Sequence, residues 1–391
     1  IGAIGNINSP LLDLPLNNSL SMKQGVGSVT FGRSTTATYV DRYGVLQTAP
    51  IDEPRFEKEG LLIEGTSTNF AFPSSSLNWA TVNCTEDVNT SGIYAPDGTE
   101  TVTKVSTTGG SDPYYYKSTS VGAAMNGKTF TYSIWAWIPS GHSSYAELYL
   151  YQTTGGTNGD TINKTITLTT TPTRYEITRK FYDEDVGTST SIRIDLEQAG
   201  TLGNSVYIWG AQLEELPFVS SYIPTTSSAV TRAQEMCSLS LDNAIGVTND
   251  FSIASETYIG RPLVSSHHTP VFSMDGTDSS NKDRLLTFRS YSSGKDTIYP
   301  FALNSSQNGS ITTALAGVQR DVVTKDDSSI KAYINGTYSR EIAVVSTDIV
   351  NGVTYIYLGL WSGSYLFGHI KNFKIYDTAL TATEVKLLQG A

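Results

Sequence analysis

Asp195 and Glu197, in the stretch SIRIDLEQAG, are the two carboxylates in the chain best spaced for acid–base work. On an extended strand an i, i+2 pair faces one side at roughly 6.5–7 Å, inside the separation of about 5–9.5 Å used in glycoside hydrolysis. Their neighbours Ile192, Ile194 and Leu196 hold the opposite parity and read as the buried set, so Arg193, Asp195 and Glu197 also fit an ordinary solvated strand face. No other catalytic set is legible. His142, His267, His268 and His369 occur in no H-E-x-x-H and beside no ligand-spaced cysteine, and the chain has no G-x-S-x-G, P-loop or dinucleotide fingerprint. Asp183, Glu184 and Asp185 in FYDEDVG form an oxygen-rich turn of the kind calcium favours, with nothing more specific to support a cation. The sequence predicts a protein that is not an enzyme and has no metal site or cofactor, with calcium left open.

Aromatic residues offer the other kind of chemistry, recognition without bond breaking. In TFTYSIWAWIPSG, residues 129–141, the even positions Phe130, Tyr132, Ile134, Ala136 and Ile138 are apolar, and Leu148 and Leu150 in YAELYLYQ share that parity. If the two runs pair as a hairpin across PSGHSS, burying both even sets sets the register parity. The outer face then carries Trp135, Trp137, Tyr149 and Tyr151 among Thr131, Ser133 and Glu147. Such a face suits a sugar, whose C–H side lies on a ring while its hydroxyls bond to wet polar neighbours. Large rings are also commonly covered, here by the N-terminal segment or by another subunit. Tyr114 and Tyr116 in DPYYYKST are placed to rim a groove, and Trp361 and Tyr365 flank a Ser-Gly-Ser turn in LGLWSGSYLFG, where strand-end packing is the alternative. Trp209 in VYIWGAQLE shares its parity with Tyr207, Ala211 and Leu213 and reads as core. The predicted carbohydrate-binding set is Trp135, Trp137, Tyr149, Tyr151, Tyr114, Tyr116, Trp361 and Tyr365.

The elements that must position these residues are strands. A chain of 391 residues exceeds one ordinary core, and only 16% of it is charged, with 34 Gly and 23 Tyr, a balance suited to short strands and tight turns. Residues 1–69 read as an extended N-terminal segment with short strands, interrupted by Pro50 and Pro54. Residues 70–224 space their strands as a sandwich does, 225–235 form a Ser/Thr-rich linker, and 236–391 form a second strand-rich region. Asn335-Gly336 predicts a type I′ hairpin, and Thr381 with Glu384 predicts a capping box on a short closing helix. The net charge of −11 disfavours nucleic acid and anionic membranes, which need basic patches, and no apolar run is long enough to span a bilayer. Cys84 and Cys237 are expected as buried free thiols.

Five stretches carry a resemblance. FGRSTTATYVDRYGVLQTAPIDEPRFEKEGLLIEGTSTNF (31–70) and VYIWGAQLEELPFVSSYIPTTSSAVTRAQE (206–235) resemble the segments that bracket a carbohydrate-binding-module-like jelly roll in tail-fibre and other virion structural proteins of tailed bacteriophages. DFSIASETYIG, SIKAYINGTY and GHIKNFKIYDTALTATEV are similar to the concanavalin A-like, laminin G-like sandwich. The resemblance implies an all-β chain of two antiparallel sandwiches. It further implies a non-enzymatic virion component, often a homotrimer, that sits among other virion proteins and contacts host cell-surface polysaccharide. A structural capsid or tail decoration protein, whose aromatics lie between subunits, is the alternative, and a polysaccharide depolymerase acting through Asp195 and Glu197 is a third.

Overall fold

A computed structural model describes residues 8–25, 27–121, 125–152, 162–181, 189–196, 203–240, 250–261, 269–276, 285–292, 295–302, 317–343 and 353–390. The chain divides into two compact units that interleave in sequence. One unit comprises Ala37–Thr48 and Thr66–Arg232, the other Ile1–Thr36, Ala49–Gly65 and Ala233–Ala391.

The first unit is a sandwich of two five-stranded antiparallel sheets. One sheet runs Thr173–Lys180, Thr129–Trp137, Ser205–Glu214, Thr103–Thr107, Cys84–Val88, and the other runs Ile162–Thr167, Tyr145–Gln152, Ser189–Asp195, Tyr114–Ser120, Ala80–Val82. Phe130, Tyr132, Ile134 and Ala136 meet Leu148, Leu150, Ile192 and Ile194 in one core, each with no exposed surface. The even positions therefore point inward as the alternation predicts, because each strand has one face against the core. The pairing itself differs from expectation. Thr129–Trp137 and Tyr145–Gln152 do not form a hairpin; they lie in opposite sheets, and Pro139–Ser144 crosses between them. Parity dictates which face is buried, and two even sets facing each other across a core satisfy it as well as two side by side.

A β-bulge corrects a second expectation. Ser133 is opposite Gln212 while Trp135 is opposite Trp209, so two residues of one strand oppose Ile134 alone. Gly210 sits in the bulge at φ 65°, and a Cβ there would come 2.5 Å from the Trp135 ring. Parity switches at this point. Val206, Ile208, Ala211 and Leu213 all face the main core, while Tyr207 and Trp209 face outward. Trp209 is fully buried, but on the other side of its sheet from Ala211 and Leu213.

The second unit is also a sandwich. An eight-stranded sheet contains Thr337–Ala343, Ser329–Ile334, Gly317–Lys325, Phe251–Ile259, Gly368–Tyr376, Gly60–Ile63 and Phe56–Glu57 in that order, with Leu12–Leu14 also on Gly368–Tyr376. A six-stranded sheet runs Val29–Gly32, Met236–Ser240, Val353–Leu358, Thr269–Gly276, Leu285–Ser292, Lys295–Ala302. Residues of the first 65 positions thus complete both sheets rather than forming a separate segment. Asn335 and Gly336 turn the expected hairpin at φ 47° and 78°, and Ala382–Gln389 is the closing helix, with Thr381 and Glu384 in a capping box.

Within this unit Arg33, Arg55, Glu64 and Glu235, four residues of the stretches that carry the tail-fibre resemblance, form a buried ion cluster. Glu235 accepts from Arg33 Nη1 at 2.7 Å, from Arg55 Nε and Nη2 at 2.8 and 2.7 Å, and from the Glu64 backbone N–H at 2.9 Å. Arg55 also pairs with Glu64 at 2.8 Å. Burial works against the Arg55 charge, yet Glu235 and Glu64 together hold its guanidinium above the ordinary range. These four residues serve the fold.

Candidate functional site

Trp135 and Trp137 do not stand open side by side on an outer face. Trp137 is 5% exposed, and Trp135 is half-buried in the same small cluster as Leu46, Ala95, Val102, Trp209 and Tyr222. Trp135 lies edge-on to Trp209 and Tyr222, with centroids at 5.3 and 5.5 Å, and Arg174 stacks on it at 4.4 Å. Trp209 Nε1 donates to Thr101 Oγ1 at 2.8 Å, which satisfies the indole's one donor. The outer face of this sheet is thus roofed by loops and by the Ala37–Val40 and Leu46–Ala49 ribbon, making a second core. The chain itself covers Trp137 and part of Trp135.

The other sheet keeps an aromatic outer face. Across three neighbouring strands, Tyr116, Arg193 and Tyr149 stand in one row, Tyr114, Asp195 and Glu147 in the next, and Ser118, Ser191 and Tyr151 in a third. Tyr115, Ile192, Ile194, Leu148 and Leu150 are fully buried on the opposite side, so alternation sends the named residues outward. The four tyrosines are half-buried. Arg193 is the hub: its guanidinium lies 3.5 Å from the Tyr114 ring centroid and 4.8 Å from that of Tyr149. The same group forks onto both oxygens of Asp195 and reaches Asp112 at 3.2 Å. Tyr114 and Tyr116 tilt together at 5.5 Å.

Glu147 accepts from the Tyr149 hydroxyl at 2.8 Å and from Thr165 Oγ1 at 3.2 Å. A hydrogen bond from Tyr145 chiefly, opposed by burial and reinforced by Tyr149 and Thr165, holds the Glu147 carboxyl below its ordinary range. Burial pushes the Asp195 carboxyl up to about 6, while Arg193 pulls the other way. Burial and the bond to Glu147 raise the Tyr149 phenol to about 12, so it stays a neutral donor. Glu147 and Asp195 stand directly opposite each other, the cross-strand pair that sequence inspection missed because 48 residues separate them. Each is already held inside the sheet, Asp195 by Arg193 and Glu147 by the hydroxyls of Tyr145, Tyr149 and Thr165, an arrangement suited to orienting polar groups.

Trp361 and Tyr365 lie in the other unit, at Leu360–Trp361 and Ser364–Tyr365, a two-stranded ribbon turning through Ser362 and Gly363. Both are half-buried, and Tyr365 rests so close to Gly65 that a Cβ there would meet its ring at 2.7 Å. The eight residues therefore separate into a covered tryptophan pair, an outer tyrosine face and a loop pair. Glu197, Asp183, Glu184, Asp185, His267 and His268 lie outside the described residues. His142 accepts from the Ser205 N–H at 2.9 Å, a structural contact. Cys84 and Cys237 are buried free thiols.

Residues 237–386 match a family described as the concanavalin A-like lectin/glucanases superfamily. This stretch is a concanavalin A-like domain. The match does not extend to the first sandwich, and no curated protein matches the chain. Among solved structures, the chain is similar to a Trypanosoma rangeli sialidase in complex with a difluoro-KDN ligand, with 13% identity and a TM-score of 0.33 over 39% of this chain and 25% of that one. It is also similar to domain 4 of a Geobacillus stearothermophilus GH43 arabinanase in complex with arabinotriose, with 18% identity and a TM-score of 0.30 over 44% of this chain and 82% of that one. A third likeness is to a SAP-like pentraxin of Limulus polyphemus, with 15% identity and a TM-score of 0.31 over 36% and 70%. The chain thus spans a quarter of the sialidase's length.

Proposed function

We propose that this protein is a glycan-binding virion component of a tailed bacteriophage, of receptor-binding or tail-fibre type, that holds host cell-surface polysaccharide on the first sandwich without breaking a bond. The observation that supports it is the outer face of Tyr114, Tyr116, Tyr149 and Tyr151 arranged about Arg193. Flat rings receive the C–H side of a sugar. The partly exposed Arg193 guanidinium and the tyrosine hydroxyls supply donors and acceptors for its hydroxyls, and the buried carboxylates of Glu147 and Asp195 hold Tyr149 and Arg193 in place. The phage setting rests on the sequence resemblance of residues 31–70 and 206–235, and a homotrimer on the particle surface, among other virion proteins, is part of the same proposal. Several copies on one particle offset weak binding at each, since tethered sites rebind at high effective concentration.

Glycan-array binding and thermal melts of wild type, Tyr149→Ala and Tyr116→Ala test it. Loss of array signal in both variants with melting shifted by only a few degrees is expected. Wild-type signal in both removes this face from recognition. New reducing ends from host polysaccharide that vanish in Glu147→Gln with Asp195→Asn would replace binding with cleavage.

A further inference from the structure

The outer tyrosine face carries more negative than positive charge, and that excess bears on which glycans it can hold. The charged residues on the five strands of its sheet are Lys117, Glu147, Lys164, Arg193 and Asp195. Both lysines have the inward parity. Lys117 stands opposite Ile192 with its ammonium 5.8 Å from the Phe72 ring centroid, and Lys164 stands opposite Leu148 and donates to the Glu176 carbonyl at 3.0 Å. Asp112, just before Tyr114 in the chain, adds a carboxylate 3.2 Å from Arg193, with its side chain 65% exposed. The face therefore sets one guanidinium against three carboxylates, on a chain whose net charge is −11.

That one cation is already engaged. Arg193 lies against the Tyr114 and Tyr149 rings at 3.5 and 4.8 Å, forks onto both oxygens of Asp195 and reaches Asp112. Burial lifts Asp195 only to about 6, and hydrogen bonds, that of Tyr145 first, hold Glu147 below its ordinary range, so both carboxyls are charged at pH 7. We infer that this face selects neutral and amino sugars and rejects glycans that carry carboxylate or phosphate groups, a conclusion that rests on the glycan-binding reading above. A sugar hydroxyl needs only a donor or an acceptor, which the phenols provide. An ammonium group gains from the rings and from the surplus carboxylates alike. A ligand carboxylate instead meets two surplus negative charges and no uncommitted cation on the sheet. At about 8 Å in water, two unit charges weaken its binding roughly fivefold. Salt removes the effect, because the Debye length falls from about 30 Å in dilute buffer to about 3 Å in molar salt.

The test uses the full chain on an array of neutral, amino and acidic oligosaccharides, read in dilute buffer and in molar salt. The best-bound glycan is then compared with the same glycan after its primary hydroxyls have been oxidised to carboxylates. Neutral or amino-sugar ligands are expected, with a loss of about fivefold or more on oxidation in dilute buffer and a gap that closes in molar salt. Asp112→Asn removes one surplus charge from an exposed position at φ 55°, a conformation asparagine also tolerates, and should narrow the gap about twofold. Acidic glycans as the best ligands, equal binding of the oxidised derivative in dilute buffer, or a gap unaltered by Asp112→Asn overturns the selectivity and leaves glycan binding standing. No signal from any oligosaccharide overturns the glycan-binding reading and the selectivity with it.

Discussion

Replacing Glu235 with Gln isolates the buried ion cluster that joins distant parts of the second unit. The carboxylate accepts four hydrogen bonds between 2.7 and 2.9 Å, three of them from Arg33 and Arg55, and all three side chains are fully buried. In the wild type two guanidinium charges meet two carboxylates, Glu235 and Glu64. Gln keeps the shape but leaves one cation uncompensated, and its NH₂ turns a donor toward guanidinium donors. Breaking a buried pair in this way costs about 3–5 kcal/mol, a large part of the roughly 5–15 kcal/mol that holds a domain folded. For a unit of this size that corresponds to a fall in melting temperature of roughly 6–20 °C. Calorimetric melts would show it as a loss confined to the transition of the second unit. A double variant with Arg33→Met should lose less than the sum of the two single changes, because the two side chains act on each other. A cost below about 1 kcal/mol for Glu235→Gln, or strict additivity with Arg33→Met, would refute the cluster as a structural lock.

Two further outcomes follow from the first unit. Trp137→Ala should destabilise by about 3–5 kcal/mol and reduce glycan binding only in proportion to unfolded protein, checked by denaturant titration beside the array; a specific binding loss at full stability would restore the platform role. Asp195 has a folded value near 6 against an ordinary value of 3.8, so between about pH 4 and 6 the folded chain holds more protons than the unfolded one and stability declines as pH rises through that window. Asp195→Asn should flatten this part of the urea-midpoint profile, and an unchanged slope would contradict it.

Local pattern in the chain was enough to determine the all-β class, the inward parity of Phe130, Tyr132, Ile134, Leu148 and Leu150, the Asn335-Gly336 turn and the capped closing helix. Each depends on residues within a few positions of one another, where alternation, positive φ and capping act directly. The tyrosines at 114, 116, 149 and 151 were also legible as outward-facing rings. Which of them share a face was not, because Tyr114 and Tyr149 are brought together by Ser189–Asp195, the strand between theirs, and no local rule specifies that pairing. Burial of Trp135 and Trp137 likewise depends on Leu46, Ala95 and Tyr222 arriving from remote segments, and the Gly210 bulge reverses the parity that placed Trp209. The meeting of Glu57 and His369 across 312 positions is the extreme case. Period-two alternation tells each side chain which face of its sheet to take, but only long-range strand pairing and packing decide what that face meets, since those contacts are made by residues far apart along the chain.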